Sequence, residues 1–185
     1  MAFLSKGYTK AGEKKSAELE SALVKASKNG EYPILCDMSP CLYTMKENMK
    51  SRLRLYEPVE FISTFLLPHL TIKPVDETIT VFPVCSIKKM GLGKKLAELA
   101  SLCAKEVIIP DTNCCGFASD RGFTYPELNK HGLRNLRSQL SEKTVHGYSV
   151  SRTCEIGLSL HSGVSYKSIV YLVDKVSSPK EIKIP

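Results

Sequence analysis

The sequence lacks the long apolar runs and the leader segment that would place the chain in a membrane or outside the cell. No apolar run approaches the roughly 18–20 residues that a membrane span needs. The first residues, Met1 to Lys6, lack the apolar core of a secretory signal. Hydrophobic residues at 43% and charged residues at 24% are ordinary for a globular protein, and the length allows a real core. We therefore expect a cytoplasmic protein without a membrane span.

Patterns typical of several common ligand sites are also missing. The four histidines show no metal-ligand spacing: His69, His131, His146 and His161. The stretch Gly91-Leu92-Gly93-Lys94 lacks the full pattern of a phosphate-binding loop. The formal charge is +7, but the lysines are scattered and do not form a basic stripe with aromatic residues. We therefore do not expect nucleic acid as a partner; the basic surface suits an acidic protein or peripheral contact with the inner face of a membrane.

Cysteine is the residue type that carries information here. The chain contains seven cysteines: Cys36, Cys41, Cys85, Cys103, Cys114, Cys115 and Cys154. An odd number without a secretory signal argues against the disulfide framework of a small secreted domain. In a reducing compartment, clustered cysteines more often serve metal or redox chemistry.

Apolar patterning predicts short buried strands that alternate with helices. The predicted helices cover 12–29, 41–50, a stretch around Phe61–Leu66, and segments carrying Leu92 to Cys103, Leu133 to Leu140 and Ile169 to Val176. The predicted strands are 32–35, 78–84, 106–109 and 146–150. This alternation predicts an α/β fold, with a parallel sheet of about four short strands flanked by helices.

Most of the cysteines follow a predicted strand. In a parallel sheet the loops after the strands open at the same edge, where such sheets place their ligands. We therefore expect that edge to carry six cysteines: Cys36, Cys41, Cys85, Cys114, Cys115 and Cys154. Several precede predicted helices, whose first N–H groups favour the thiolate form that binds metal. Cys103 is different, because it completes an apolar helical stripe with Leu92, Leu96 and Leu99 and is predicted to lie in the core.

The residue pattern alone leaves other interpretations of these cysteines open. They can be small buried hydrophobic residues, or a redox disulfide can join Cys36 to Cys41 or form at the vicinal pair Cys114-Cys115. A structural zinc site is a further alternative, although its usual two Cys-x-x-Cys knuckles are missing. A vicinal pair followed by Gly116 suits neither a core strand nor a helix face, and this favours a metal site at this loop.

Three segments resemble the cysteine-rich "CCG" domain of iron–sulfur redox proteins. They are Val84–Gly91, Cys114–Phe123 and Ser151–Ser159, and they occur in the order found in that domain. The domain is found in heterodisulfide reductases, in the iron–sulfur component of glycolate oxidase and in lactate-utilisation proteins. Residues Arg152–Val176 are similar to the C-terminal end of fusion proteins that join an FAD-linked D-2-hydroxyacid (D-lactate or D-2-hydroxyglutarate) dehydrogenase to an iron–sulfur oxidoreductase.

The resemblance implies a division of the chain and a ligand set. Residues 1–52 would be the C-terminal end of a first CCG repeat, 53–77 a connector, and 78–185 a complete second repeat with a C-terminal tail. The implied ligands of a [4Fe–4S]-type cluster, noncubane in some relatives, are Cys85, Cys114, Cys115 and Cys154. Cys36 and Cys41 would belong to a second, incomplete site.

The same resemblance implies the role of the chain. It would be an iron–sulfur electron-transfer domain from the C-terminal part of a flavin-linked oxidoreductase, without catalytic residues of its own. FAD and the flavin domain would lie in a part of the parent protein that this chain lacks, and the electron acceptor would be a quinone or a carrier protein. Two positions depart from the family pattern: relatives often carry a second cysteine where this chain has Gly157, and some carry a histidine near Phe82-Pro83.

Overall fold

A four-stranded sheet with helices on both faces organises the chain. The structure is a computed structural model that describes Phe3 and residues 6–112 and 114–180. Its helices are α1 (Thr9–Ala26), α2 (Ser39–Asn48), α3 (Pro58–Phe61), α4 (Cys85–Lys89), α5 (Gly93–Cys103), α6 (Arg121–Thr124), α7 (Pro126–Gly132), α8 (Arg152–Ser162) and α9 (Ile169–Val176). Its strands are β1 (Ile34–Leu35), β2 (Leu55–Tyr56), β3 (Leu70–Ile72), β4 (Val75–Val81), β5 (Ala104–Ile108), β6 (Thr144–Ser149), β7 (Tyr166–Ser168) and β8 (Ser177–Pro179). A π-helix (Ile62–Leu66) and two 3₁₀ turns (Leu67–His69 and Arg137–Gln139) complete the helical segments.

The strand order of the main sheet is β5-β4-β6-β7, and every neighbouring pair is parallel. Each connection between consecutive strands of this sheet carries at least one helix, as parallel pairing requires. The predicted α/β fold class, with a parallel sheet of about four short strands, is confirmed.

Two features of strand pairing differ from the prediction. The strand predicted at 32–35 is the two-residue β1, and it pairs with β2 in a separate parallel sheet. The fourth strand of the main sheet is β7, which the sequence pattern did not predict because it is only three residues long. β3 and β8 form a further antiparallel pair.

The hydrophobic core lies against both faces of the main sheet. Ile79, Thr80 and Val81 in the central strand β4 are all at most 1% exposed, so neither face of this strand contacts solvent. On α5, Leu99 and Cys103 are likewise buried, which confirms the prediction that Cys103 belongs to the core.

Helix ends follow local signals, with one exception. α1 ends before Lys28-Asn29-Gly30, three residues with positive φ angles that a helix cannot continue through. α9 spans the predicted segment, and its cap, the Ser168 hydroxyl, accepts a hydrogen bond from the Val170 N–H at 3.4 Å. In the described residues, no helix is both long and apolar enough to cross a bilayer.

The exception is the helix predicted through Leu133, Leu136 and Leu140, and this prediction is wrong. α7 ends at Gly132, and only the 3₁₀ turn Arg137–Gln139 follows it. The three leucines are nevertheless buried. Their helix-like spacing therefore reflects core contacts made by an irregular segment.

Candidate metal centre

Four cysteines from three loops meet at the carboxyl edge of the main sheet. Cys85 begins α4 after β4, Cys114 and Cys115 lie in the loop after β5, and Cys154 lies in the first turn of α8 after β6. These three strands are neighbours in the order β5-β4-β6, so their following loops are neighbours too. We call these four residues the cysteine quartet.

The quartet forms a continuous row of thiol contacts. Cys114 lies close enough to both Cys85 and Cys115 for their thiols to shift one another's pKa. The Cys115 thiol donates to the Cys154 sulfur at 2.9 Å. Cys85 and Cys114 are exposed, whereas Cys115 and Cys154 are buried. The row therefore runs from the surface of the sheet edge into the core.

Proton affinity alternates along this row. Hydrogen bonds from Cys115 and Cys85 lower the pKa of Cys114, with help from the Gly116 N–H and the charge of Lys88. A hydrogen bond from Cys115 also lowers the pKa of Cys154, against the effect of its burial. Cys85 and Cys115 show the opposite shift. Hydrogen bonding to Cys114 is the largest cause of the raised pKa of each thiol, and burial raises it further. The site thus favours thiolates at alternate positions.

The backbone around the vicinal pair is held in a shape that requires glycine. Gly116 has a φ of +71°, and a β-carbon there would overlap the carbonyl of Leu128. Its N–H points to the Cys114 sulfur at 3.4 Å. Gly132 is similarly constrained, since a β-carbon there would lie 2.9 Å from the Cys114 carbonyl oxygen. The glycine after the cysteine pair therefore allows the backbone of α7 to approach this loop closely.

The buried side chain of Asn129 supports the loop that carries Cys114 and Cys115. It is 2% exposed, and its side-chain amide donates a hydrogen bond to the carbonyl of Cys115. A β-carbon at Gly157 would overlap this amide. Gly157 is the position where the resemblance leads one to expect a second cysteine. In this chain the buried amide of Asn129 occupies the space which that side chain would need.

Cys36 and Cys41 lie apart from the quartet. They flank the start of α2, and their strand β1 is not part of the main sheet, so the parallel-strand argument that predicted six cysteines at one edge does not apply to this pair. The Cys36 thiol donates to the Met38 carbonyl at 3.7 Å, and burial raises its pKa. Cys41 faces a small cavity of about 190 Å³ between α1 and α2.

One side chain nevertheless connects the Cys36–Cys41 loop to the quartet. The Ser151 hydroxyl lies 3.7 Å from the Met38 sulfur. The same hydroxyl is hydrogen-bonded to Cys154 and lowers its pKa. The Ser151 side chain therefore connects the loop that carries Cys36 to Cys154, at the buried end of the quartet.

The quartet supplies the kind and number of ligands that a thiolate-ligated metal centre needs, and its sulfurs would have to move apart to bind one. Among the described residues, no group of three or more His, Cys, Asp or Glu side chains is arranged to hold a metal ion. Sulfurs around a tetrahedral zinc ion, at about 2.3 Å from the metal, stand about 3.8 Å apart. The 2.9 Å between Cys115 and Cys154 is shorter. Zinc binding would replace this thiol contact and separate these two sulfurs by about 1 Å, and a cluster of several irons would separate them further.

Three supporting residues could not be identified from the sequence: Lys88, Asn129 and Ser151. Lys88 donates to the Thr112 carbonyl at 2.8 Å, which places its charge at the loop of the vicinal pair. The Asp120 carboxylate, which follows the vicinal pair in the sequence, pairs with Lys6 at 3.1 Å. One sequence feature pointed to Asn129. Gly157 stands where the family pattern often has a cysteine, and Gly157 is the residue that the Asn129 side chain contacts.

Comparisons of the chain with protein-family models, curated proteins and solved structures found no match. The resemblance to the CCG domain therefore rests on the three cysteine-containing segments themselves.

Proposed function

We propose that this chain is an iron–sulfur electron-transfer domain whose cluster is held by the cysteine quartet. The observation that supports this most strongly is the convergence of Cys85, Cys114, Cys115 and Cys154, separated by up to 69 residues, in one row of contacting sulfurs. Adjacent parallel strands bring them together, and the surrounding groups favour thiolate at Cys114 and Cys154. A [4Fe–4S]-type cluster, cubane or noncubane, would supply one-electron chemistry when bound.

The protein would contribute ligands, charge balance and partial shielding from water. The inner cysteines, Cys115 and Cys154, are buried, while Cys85 and Cys114 face solvent. This gradient would leave one side of the centre open to an electron donor or acceptor. Lys88 and the Gly116 N–H would offset the negative charge at Cys114.

The wider context of the proposal comes from the family resemblance. The parent protein would be an FAD-linked oxidoreductase acting on a D-2-hydroxyacid, with the flavin domain as electron donor and a quinone or carrier protein as acceptor. Cys36 and Cys41 would belong to a second site completed elsewhere in that parent. We place the protein in the cytoplasm, with peripheral contact at the inner membrane face as its closest approach to a bilayer. We assign no catalytic residue to this chain.

Anaerobic reconstitution tests the proposal directly. The protein is treated with ferrous iron and sulfide, desalted, and assayed for iron, sulfide and an EPR signal after reduction. We expect both elements in the wild type and in the control variant Cys103→Ala, which alters a cysteine far from the quartet. Folded wild type that retains no iron would contradict the proposal, and stoichiometric zinc in protein purified in air would favour a zinc-stabilised interaction module.

The 2.9 Å contact between Cys115 and Cys154 supports a second candidate function, thiol–disulfide exchange. Cys114 would attack a disulfide substrate and release one of its thiols. A neighbouring cysteine would then displace the second thiol and leave a protein disulfide, so that the protein loses two electrons and the substrate gains two. Metal-free protein that reduces a model disulfide stoichiometrically, while failing to hold iron, would favour this candidate.

A further inference from the structure

A cavity is a second feature of the same sheet edge. It is an open cleft of about 860 Å³, at the carboxyl ends of β6 and β7. One wall comes from Asp37, Met38 and Pro58, and the other from segments that include Arg152 and Tyr171. Clefts of this size outside the carboxyl ends of parallel strands commonly hold small ligands. None of the quartet cysteines lines it.

The charges in this cleft are unevenly paired. Arg152 is held by Glu155, a carboxylate in the cleft floor only 4% exposed, at 3.4 Å. Lys167 on the same wall makes no side-chain hydrogen bond or ion pair within residues 6–112 and 114–180. Because Glu155 already neutralises Arg152 and Asp37 is also negative, the attraction for an anion is local to Lys167. One unpaired cation matches a monoanion better than a dianion, which the exposed Asp37 at the opposite wall would repel.

Much of the remaining lining is apolar. Met38, Pro58, Val150, Val170 and Tyr171 contribute to it, beside the hydroxyl groups of Ser151 and Ser168. Tyr171 is 67% exposed and Val170 41% exposed, on the face of α9 opposite its buried residues. These side chains offer apolar surface that a ligand body could cover.

We propose that this cleft binds a small carboxylate with an apolar body. Its carboxylate would lie near Lys167 and the outer edge of Arg152, and its body would pack on Tyr171 and Met38. Ser151, which lines the cleft, is hydrogen-bonded to Cys154. The Ser151 side chain would therefore lie between a bound ligand and Cys154, at the buried end of the quartet. The binding site does not depend on iron, so it stands or falls separately from the proposed function.

Nitrogen-15 NMR titration of the full, metal-free chain tests the proposal with three probes: benzoate, its neutral isostere benzamide, and inorganic phosphate. We expect benzoate to shift the amide signals of Ser151, Lys167 and Tyr171, and we expect weaker effects from benzamide and phosphate. Equal binding of benzamide, or phosphate binding as tight as benzoate, would overturn the proposed ligand class. Benzoate shifts confined to other residues, or absent, would overturn the site.

Two exposed charges of opposite sign allow a matched test. Lys167→Gln should weaken benzoate binding by about fivefold, and Asp37→Asn should strengthen it by a smaller factor. Benzamide binding should change with neither variant. Lys94→Gln, which alters an 89% exposed lysine on α5 outside the cleft, is the control and should behave as wild type. Unchanged benzoate affinity in Lys167→Gln would contradict the proposal.

Discussion

Two groups of cysteines occur in this molecule, and they differ in how the fold delivers them. The quartet follows β4, β5 and β6, three neighbouring strands of one parallel sheet. Cys36 and Cys41 follow β1, a two-residue strand paired only with β2. The quartet sulfurs contact one another, whereas the Cys36 thiol donates to a backbone carbonyl.

The difference shows why position after a strand is not enough to predict a shared site. Loops after strands converge only when the strands belong to the same sheet and are neighbours in it. The quartet satisfies both conditions, and the Cys36 loop satisfies neither. Its Met38 side chain nevertheless contacts Ser151, which lies beside the quartet.

The largest expected effect is on iron content. Cys114→Ser and Cys154→Ser should each remove most of the iron that the wild type retains after anaerobic reconstitution, because each deletes one of four thiolate ligands. Cys36→Ser and Cys41→Ser should retain wild-type iron, measured per folded chain. Equal loss from both pairs of variants would erase the distinction between the two groups of cysteines.

The next effect concerns the reactivity of the metal-free thiols. At pH 7, iodoacetamide should modify Cys114 at least about tenfold faster than Cys36, because Cys114 is exposed with a lowered pKa whereas burial raises the pKa of Cys36. Mass spectrometry of peptides at successive times gives both rates. Buried Cys103 should stay unmodified while the protein is folded and serves as the internal control. Faster labelling of Cys36 would mean that the quartet does not stabilise thiolate.

Much of the sheet edge could be predicted from the sequence, because it depends on short-range patterns. The strand run at Thr78–Val81, the stripe ending at Cys103 and the loop with Gly116 each carry a local signal. Parallel strands then bring the loops to one edge. The fold class and the convergence of the quartet follow from these signals alone.

What could not be predicted depends on contacts between distant residues. Nothing local shows that β1 pairs with β2 or that Tyr166–Ser168 completes the main sheet. The contact of Asn129 with Gly157 joins residues of two helices that lie on separate crossovers. Such contacts depend on three-dimensional packing, which residue periodicity does not encode.

A buried carboxyl group links the two cysteine regions and should make stability depend on pH. The Glu57 carboxylate accepts hydrogen bonds from the Ser39 hydroxyl at 3.1 Å and the Val59 N–H at 2.6 Å. Ser39 also lies 3.3 Å from the Val150 carbonyl, at the end of β6. Burial raises the pKa of Glu57 from 4.5 to about 7.

The folded state holds the proton of the Glu57 carboxyl group more tightly than the unfolded state does. The protonated group therefore contributes to the free energy of unfolding, and this contribution is fully present below pH 4.5 and is lost as pH rises through 7. The loss corresponds to about 3 kcal/mol of unfolding free energy. Glu57→Gln should remove this part of the pH dependence between pH 4.5 and 8, as measured by urea unfolding. The control Glu98→Gln, on an exposed carboxylate, should leave it intact. Parallel pH profiles for wild type and Glu57→Gln would show that Glu57 titrates normally.

The smallest expected effect tests the packing behind the quartet. In a helix, Gly→Ala usually stabilises, by up to about 1 kcal/mol. Gly157→Ala should instead destabilise the metal-free protein by about 1–3 kcal/mol, because its methyl group would overlap the buried amide of Asn129. The matched control is Gly93→Ala at the start of α5, where a β-carbon meets nothing within 4 Å and stability should hold or rise. The double variant Asn129→Ala/Gly157→Ala should lose less stability than the sum of the two single-variant losses, since removing the amide makes room for the methyl group. If Gly157→Ala unfolds at the same urea concentration as Gly93→Ala, then Asn129 can move aside, and a cysteine at position 157 would be tolerated.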